Sequence, residues 1–230
     1  MRDRPKSGIA AHRLACVVLS ALWAATSFAQ GNYAVEPVEA MPAGLSVAVE
    51  RALEPQGVRL LSGDGKPIVE LWLRAEVPLK ANAFEAGYGA LAEGTLVGVL
   101  NFPQGGSDFR GQAIEAGVYT LRYESIPQDG NHLGAAPESN FLLLCPANAD
   151  RDLEASFNFD SLVELSRQAS GTNHPAPLLL MTVSEAGEFP GIEHNDLGHV
   201  ALRMKTSAKA VTWDQANQLS LALVLVGRAE

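Results

Sequence analysis

The chain has 230 residues, a formal net charge of −9 and 47% apolar residues. An acidic balance of that size argues against nucleic acid or an anionic lipid surface as partner, since such binding draws on clustered Lys and Arg that displace counterions. The length suffices for a sizeable core within one domain.

Residues 1–29 read as a cleavable secretory signal. Arg2, Arg4, Lys6 and Arg13 precede an apolar stretch over residues 14–28, and Ser27-Phe28-Ala29 places small residues where a signal peptidase needs them. The stretch falls short of the roughly 20 residues of a membrane-spanning helix, so cleavage after Ala29 is expected and no span remains afterwards. Cys16 opens the apolar stretch instead of closing it, which argues against lipid attachment. Cleavage removes four basic residues and Asp3, taking the charge from −9 to −12. It leaves Cys145 alone, so no intramolecular disulfide forms and stability must come from packing. The expected location is periplasmic or secreted.

Residues 30–56 read as an N-terminal arm. Its first part, through Met41, is polar with no helix or strand period, and residues 43–53 carry Leu45, Val49 and Leu53 at helical spacing, ended by Pro55 and Gly57. The alternation of Val47 and Val49 leaves a strand open there. From residue 57 to the end the chain reads as a single antiparallel β-sandwich domain, mostly β. Val58-Arg59-Leu60-Leu61 and Ile68-Val69-Glu70-Leu71-Trp72-Leu73 flank Ser62-Gly63-Asp64-Gly65, a hairpin in which Asp-Gly tolerates the positive φ of a tight turn. Further β-type runs occur at residues 96–102, 112–114, 118–124, 141–144, 178–183, 200–206 and 219–226, separated by segments rich in Gly, Pro, Asn and Asp.

In residues 118–124 Tyr119, Leu121 and Tyr123 share one side, and Thr120, Arg122 and Glu124 the other, which predicts one buried and one wet face. Residues 219–226 are apolar on both faces and predict a central strand. A short helix is expected over residues 160–171, with Asp160 as its cap, Leu162, Leu165 and Ala169 as its apolar stripe, and Gly171 as its left-handed stop.

The four histidines outside the leader, His132, His174, His194 and His199, are all expected in loops at strand boundaries. If they converge with Asp129, Glu193 or Asp196 they form a candidate Zn²⁺ or Cu²⁺ site, since both ions accept neutral imidazole. No tight His pair supports this, and turn chemistry accounts for the same residues. Cys145, between an apolar run and Pro146, reads as a core thiol. No nucleophile elbow or phosphate loop is present. Asp108, Glu115, Glu124 and Asp129 would serve glycoside hydrolysis only if two of them faced each other across a cleft. Trp72, Trp213, Tyr88 and Tyr33 would suit a sugar surface but are expected in the core.

The segments Gly117-Val118-Tyr119-Thr120-Leu121-Arg122-Tyr123, Pro127-Gln128-Asp129-Gly130-Asn131-His132-Leu133-Gly134 and Phe141-Leu142-Leu143-Leu144, with Pro146-Ala147, resemble the signature of an exported bacterial β-sandwich family to which no activity is assigned. Glu70-Leu71-Trp72-Leu73 and Asn173-His174-Pro175 belong to the same resemblance. It transfers no catalytic residue. It singles out the polar segment around Asp129, Asn131 and His132 as a ligand-binding loop, with Arg122, Asn173 and His174 as neighbours. The expected function is therefore a non-catalytic exported protein that binds a small ligand or an envelope protein through polar loops. A histidine metal protein and a purely structural envelope component are the alternatives.

Overall fold

The Asp64-Gly65 turn is where the fold is easiest to derive. Gly65 takes φ 77° and donates its N–H to Ser62 O at 2.8 Å, joining β2 (Gly57–Leu61) to β3 (Pro67–Leu73) as the predicted antiparallel hairpin. The structure, a computed structural model, describes residues 32–126 and 138–229.

β1 (Ala34–Val38) pairs antiparallel with β2, so part of the expected arm is an edge strand. The pairing satisfies main-chain groups of β2, which residues 34–38 need no internal periodicity to do. α1 (Val47–Ala52) follows, short and capped by Ser46. Beyond β3 come β4 (Glu76–Leu79), β5 (Leu96–Phe102), the small β6 (Gly106–Ser107) and β7 (Ala113–Ile114) pair, β8 (Gly117–Ser125) and β9 (Asn140–Pro146). α2 (Phe159–Ser170) precedes β10 (Pro177–Leu180), β11 (Gly191–His194), β12 (Val200–Ala210) and β13 (Asn217–Val226).

Eleven strands form one sheet in the order β1-β2-β3-β5-β8-β9-β10-β13-β12-β11, with β4 pairing parallel to β12. Only Arg74 and Ala75 separate β3 from β4, yet β3 stands near one end of this order and β12 near the other. The sheet must therefore curl until its ends approach. Thr206 Oγ1 pins the corner by donating to Arg74 O at 2.5 Å. The curl gathers Leu60, Leu71, Leu100, Leu121, Leu144 and Leu221 into one core cluster on the inner face. The mostly β expectation holds, and β13 lies between β10 and β12 as its two apolar faces predict.

α2 covers the outer face of β9. Leu162 packs there on Leu143 and Cys145, and Gly171 ends the helix at φ 64°. The N-cap is Asn158 and not Asp160: Asn158 Oδ1 accepts from Ser161 N at 2.9 Å, while Ser161 Oγ accepts from Asn158 N at 3.0 Å. This reciprocal box satisfies two donors that Asp160, already inside the helix, cannot reach.

Cover by α2 and the loop before it overturns one expectation. The Thr120–Arg122–Glu124 face of β8 is not wet: these residues are 0%, 1% and 5% exposed. Arg122 survives burial because every part of its guanidinium has a partner. Nε and Nη2 donate to Asp150 Oδ2 and Oδ1, both at 2.8 Å, Nη1 donates to Gly94 O at 2.9 Å, and Nη2 also donates to Asp152 O at 2.6 Å. Thr120 Oγ1 donates to Asp150 Oδ2, and the Phe157 ring lies 4.9 Å from the guanidinium carbon. Removing one partner strands a charge in a dry site. Asp150→Ala is therefore expected to lose about 3–5 kcal/mol in urea unfolding, and a loss below about 1 kcal/mol would show that the pair is solvated.

Candidate functional site

Glu124 lies two residues beyond Arg122 on the same face of β8, and it lacks what Arg122 has. Its Oε1 accepts the Ser125 N–H at 2.8 Å, but Oε2 is buried without a hydrogen-bond partner among the described residues. Loss of hydration, with Glu93 adding repulsion against that single main-chain bond, pushes its pKa up to about 7.

Glu124 borders a cavity of about 280 Å³ on the outer face of the sheet. Two covers meet there. On one side α2 contributes Phe159, Val163 and Arg167; on the other, residues 109–110 and the loop after α2 close in, bringing Phe109, Asn173 and His174. Phe141 and Leu143 of β9 form the floor. The lining is thus apolar with a few convergent polar groups, the usual make-up of a small-ligand site. Local sequence explains the shape. Phe109 N donates to Pro177 O at 2.8 Å and Ala229 N to Phe109 O at 2.7 Å, which straps Phe109 over the sheet. Ser170 Oγ donates to His174 O at 2.6 Å and His174 N to Thr172 Oγ1 at 3.0 Å, which sets the bend after α2.

The sequence-predicted site residues separate in three ways. Asn173 and His174 are exposed at this cavity. Arg122 is not at the cavity; its side chain is committed to Asp150. Asp129, Asn131 and His132 lie outside the described residues. Glu124, which the sequence offers only as half of a carboxylate pair, is the one carboxylate among the described lining residues.

The remaining histidines stand elsewhere. His194 is exposed at the end of β11, on a strand and not in a loop, with its ring 6.3 Å from that of Tyr33. His199 is buried: Nδ1 faces Asn195 Nδ2 at 3.1 Å and Nε2 faces Arg228 O at 3.2 Å. A carbonyl beside Nε2 requires that nitrogen to carry the proton and Nδ1 to accept, so both ring nitrogens are engaged. Asn195 Oδ1 also accepts from Leu197 N and His199 N, as turn chemistry predicts. Among the described residues no group of three or more His, Cys, Asp or Glu side chains is placed to hold a metal ion.

Cys145 is fully buried on β9, and desolvation pushes its thiol pKa up, against nucleophilic use. Asp108 is raised by burial but accepts from Gln112 Nε2 at 2.5 Å, Gln112 N at 2.8 Å and Arg110 N at 3.0 Å, so it serves as the brace of its turn. Glu115 stands at a different, larger groove of about 740 Å³ beside Gly117 and Gly171. Among the described residues that groove holds no buried polar side chain without a partner. The aromatics disperse: Trp72 is in the core, Tyr88 Oη donates to Met181 O at 2.9 Å, and Trp213 Nε1 donates to Ala83 O at 2.9 Å. Comparisons with protein-family models, curated proteins and solved structures find no match, so function is argued from the chemistry of the site.

The raised acidity constant of Glu124 makes stability depend on pH. Between its ordinary value of 4.5 and about 7 the folded chain holds the proton that the unfolded chain has released, so stability falls as pH rises through that window. The penalty is complete above it, on the order of 2 kcal/mol. In urea unfolding Glu124→Gln is expected to exceed the wild type by that order at pH 8 and to match it near pH 4.5. An equal difference at both values would contradict the assignment.

Proposed function

We propose that the chain is an exported, non-catalytic binding protein of the periplasm or the extracellular space, and that it takes a small ligand in the Glu124 cavity. Support for export comes from the ordered basic, apolar and small-residue segments of residues 1–29. One observation carries the binding reading: a carboxylate oxygen buried without a partner at the wall of an apolar cavity. An unmet acceptor costs about 1–3 kcal/mol, and a site retains such a cost where a ligand relieves it. A binding role is favoured over catalysis because no second carboxylate joins Glu124 among the described lining residues and Cys145 is sealed in the core.

The chain recovered after export is expected to begin at Gln30 on N-terminal sequencing; a product beginning at Met1 would contradict export. With that material, a panel of monocyclic aromatic compounds at about 100 times their Kd should raise the unfolding free energy by about 2.7 kcal/mol. Val163→Phe, which projects a ring into the cavity, should abolish the gain while leaving the unliganded fold intact. No stabilisation by any of these compounds between pH 5 and 8 would refute the cavity as a binding site.

A further inference from the structure

The Glu124 cavity also indicates what kind of ligand it would take, an inference that rests on the binding reading above. We infer that its ligand is a small organic amine, with the ammonium hydrogen-bonded to Glu124 Oε2 and an apolar body lying among Phe109, Phe141 and Phe159.

Three features carry this. The first is the unmet acceptor: Glu124 is 5% exposed, and among the described residues Oε2 has no hydrogen-bond partner. A carboxylate accepts only, so the group that completes it must donate, and an ammonium does so with charge assistance. The second is the set of charged neighbours. The side chains able to act on Glu124 are Glu93, which accepts from Ser125 Oγ at 3.0 Å, and the cavity residues Arg110, Arg167 and His174. Arg167 Nη1 donates to Glu164 at 3.0 Å while its Nε is buried without a partner among the described residues, Arg110 adjoins Asp108, and Arg122 is bound to Asp150. None of these cations donates to Glu124, so among the described residues no cation pairs with it. The third is the lining, since three phenyl rings accommodate an apolar body and their faces favour a cation over an anion.

A cavity of about 280 Å³ admits a single ring with a short arm, so benzylamine is a suitable probe, with benzyl alcohol as its neutral counterpart and benzoate as its anionic one. Calorimetric titration of the exported chain at pH 8 should show benzylamine binding at least about tenfold more tightly than benzyl alcohol. Because the amine requires the ionised carboxylate, benzylamine affinity should weaken roughly thirty-fold between pH 8 and 5.5, from a carboxyl titrating at about 7. Glu124→Gln should erase both the preference and the pH dependence yet retain benzyl alcohol binding, which shows the variant is folded. Equal binding of amine and alcohol, or tighter binding of benzoate, would overturn the amine inference and leave the cavity reading standing. Failure of all three probes to bind would remove the cavity reading itself.

Discussion

The structure depends on a charge that has been taken out of water. Arg122 sits on the outer face of β8, and Asp150, from the turn after β9, answers it with two parallel hydrogen bonds. Once the guanidinium is satisfied, the Thr120–Arg122–Glu124 row can be covered, and α2 and its preceding loop close over that side of the sheet. The pair is not a source of net stability in itself, because desolvating two ions costs about what their attraction returns. Its effect is on arrangement: it fixes how the segment carrying Asp150, Asp152 and Phe157 lies on the sheet, and so where the next residue along the row finds itself.

That next residue is Glu124. The cover that Asp150 anchors extends over it, but among the described residues no donor reaches it beyond the Ser125 N–H. One strand face thus carries two ionisable groups in opposite conditions, one with a partner for every nitrogen and one with an acceptor left open. The seam between α2 and the strap at Phe109 places the open acceptor against a small cavity. A protein optimised for stability alone would replace Glu124 by an apolar residue or give it a partner, and sites that keep such a cost are where binding is expected.

Much of this fold is legible in the sequence. The Asp64-Gly65 hairpin follows from turn chemistry, β13 declares its central place by being apolar on both faces, and Gly171 marks the end of α2. What misleads is the alternation in β8, because a polar residue on a strand signals solvent only if nothing covers it. A corrective signal was present. Phe141-Leu142-Leu143-Leu144-Cys145 is apolar without interruption, which means β9 is buried on both sides, and its hairpin partner shares both layers. The polar row of β8 then had to be a buried network. Its partner could not be named from sequence, since Asp150 lies 28 residues away in a turn with no periodic pattern. The edge strand β1 was hidden for a related reason, as residues 34–38 have little apolar alternation and are held by the main chain of β2. Of the cavity lining, Asn173 and His174 stand out in the sequence as polar loop residues, whereas the burial of Glu124 depends on a cover that no local pattern records.

The state of one carboxyl group decides whether the cavity has an open acceptor. Carbon-detected NMR of side-chain carboxyls would follow Glu124 directly as pH is varied in the unliganded chain. A midpoint near 7 is the expected result, reporting an acid held dry and without a donor at its second oxygen. A midpoint at the ordinary glutamate value of 4.5 would mean that water or a protein group already serves that oxygen, and the cavity would then have no unmet acceptor to offer a ligand.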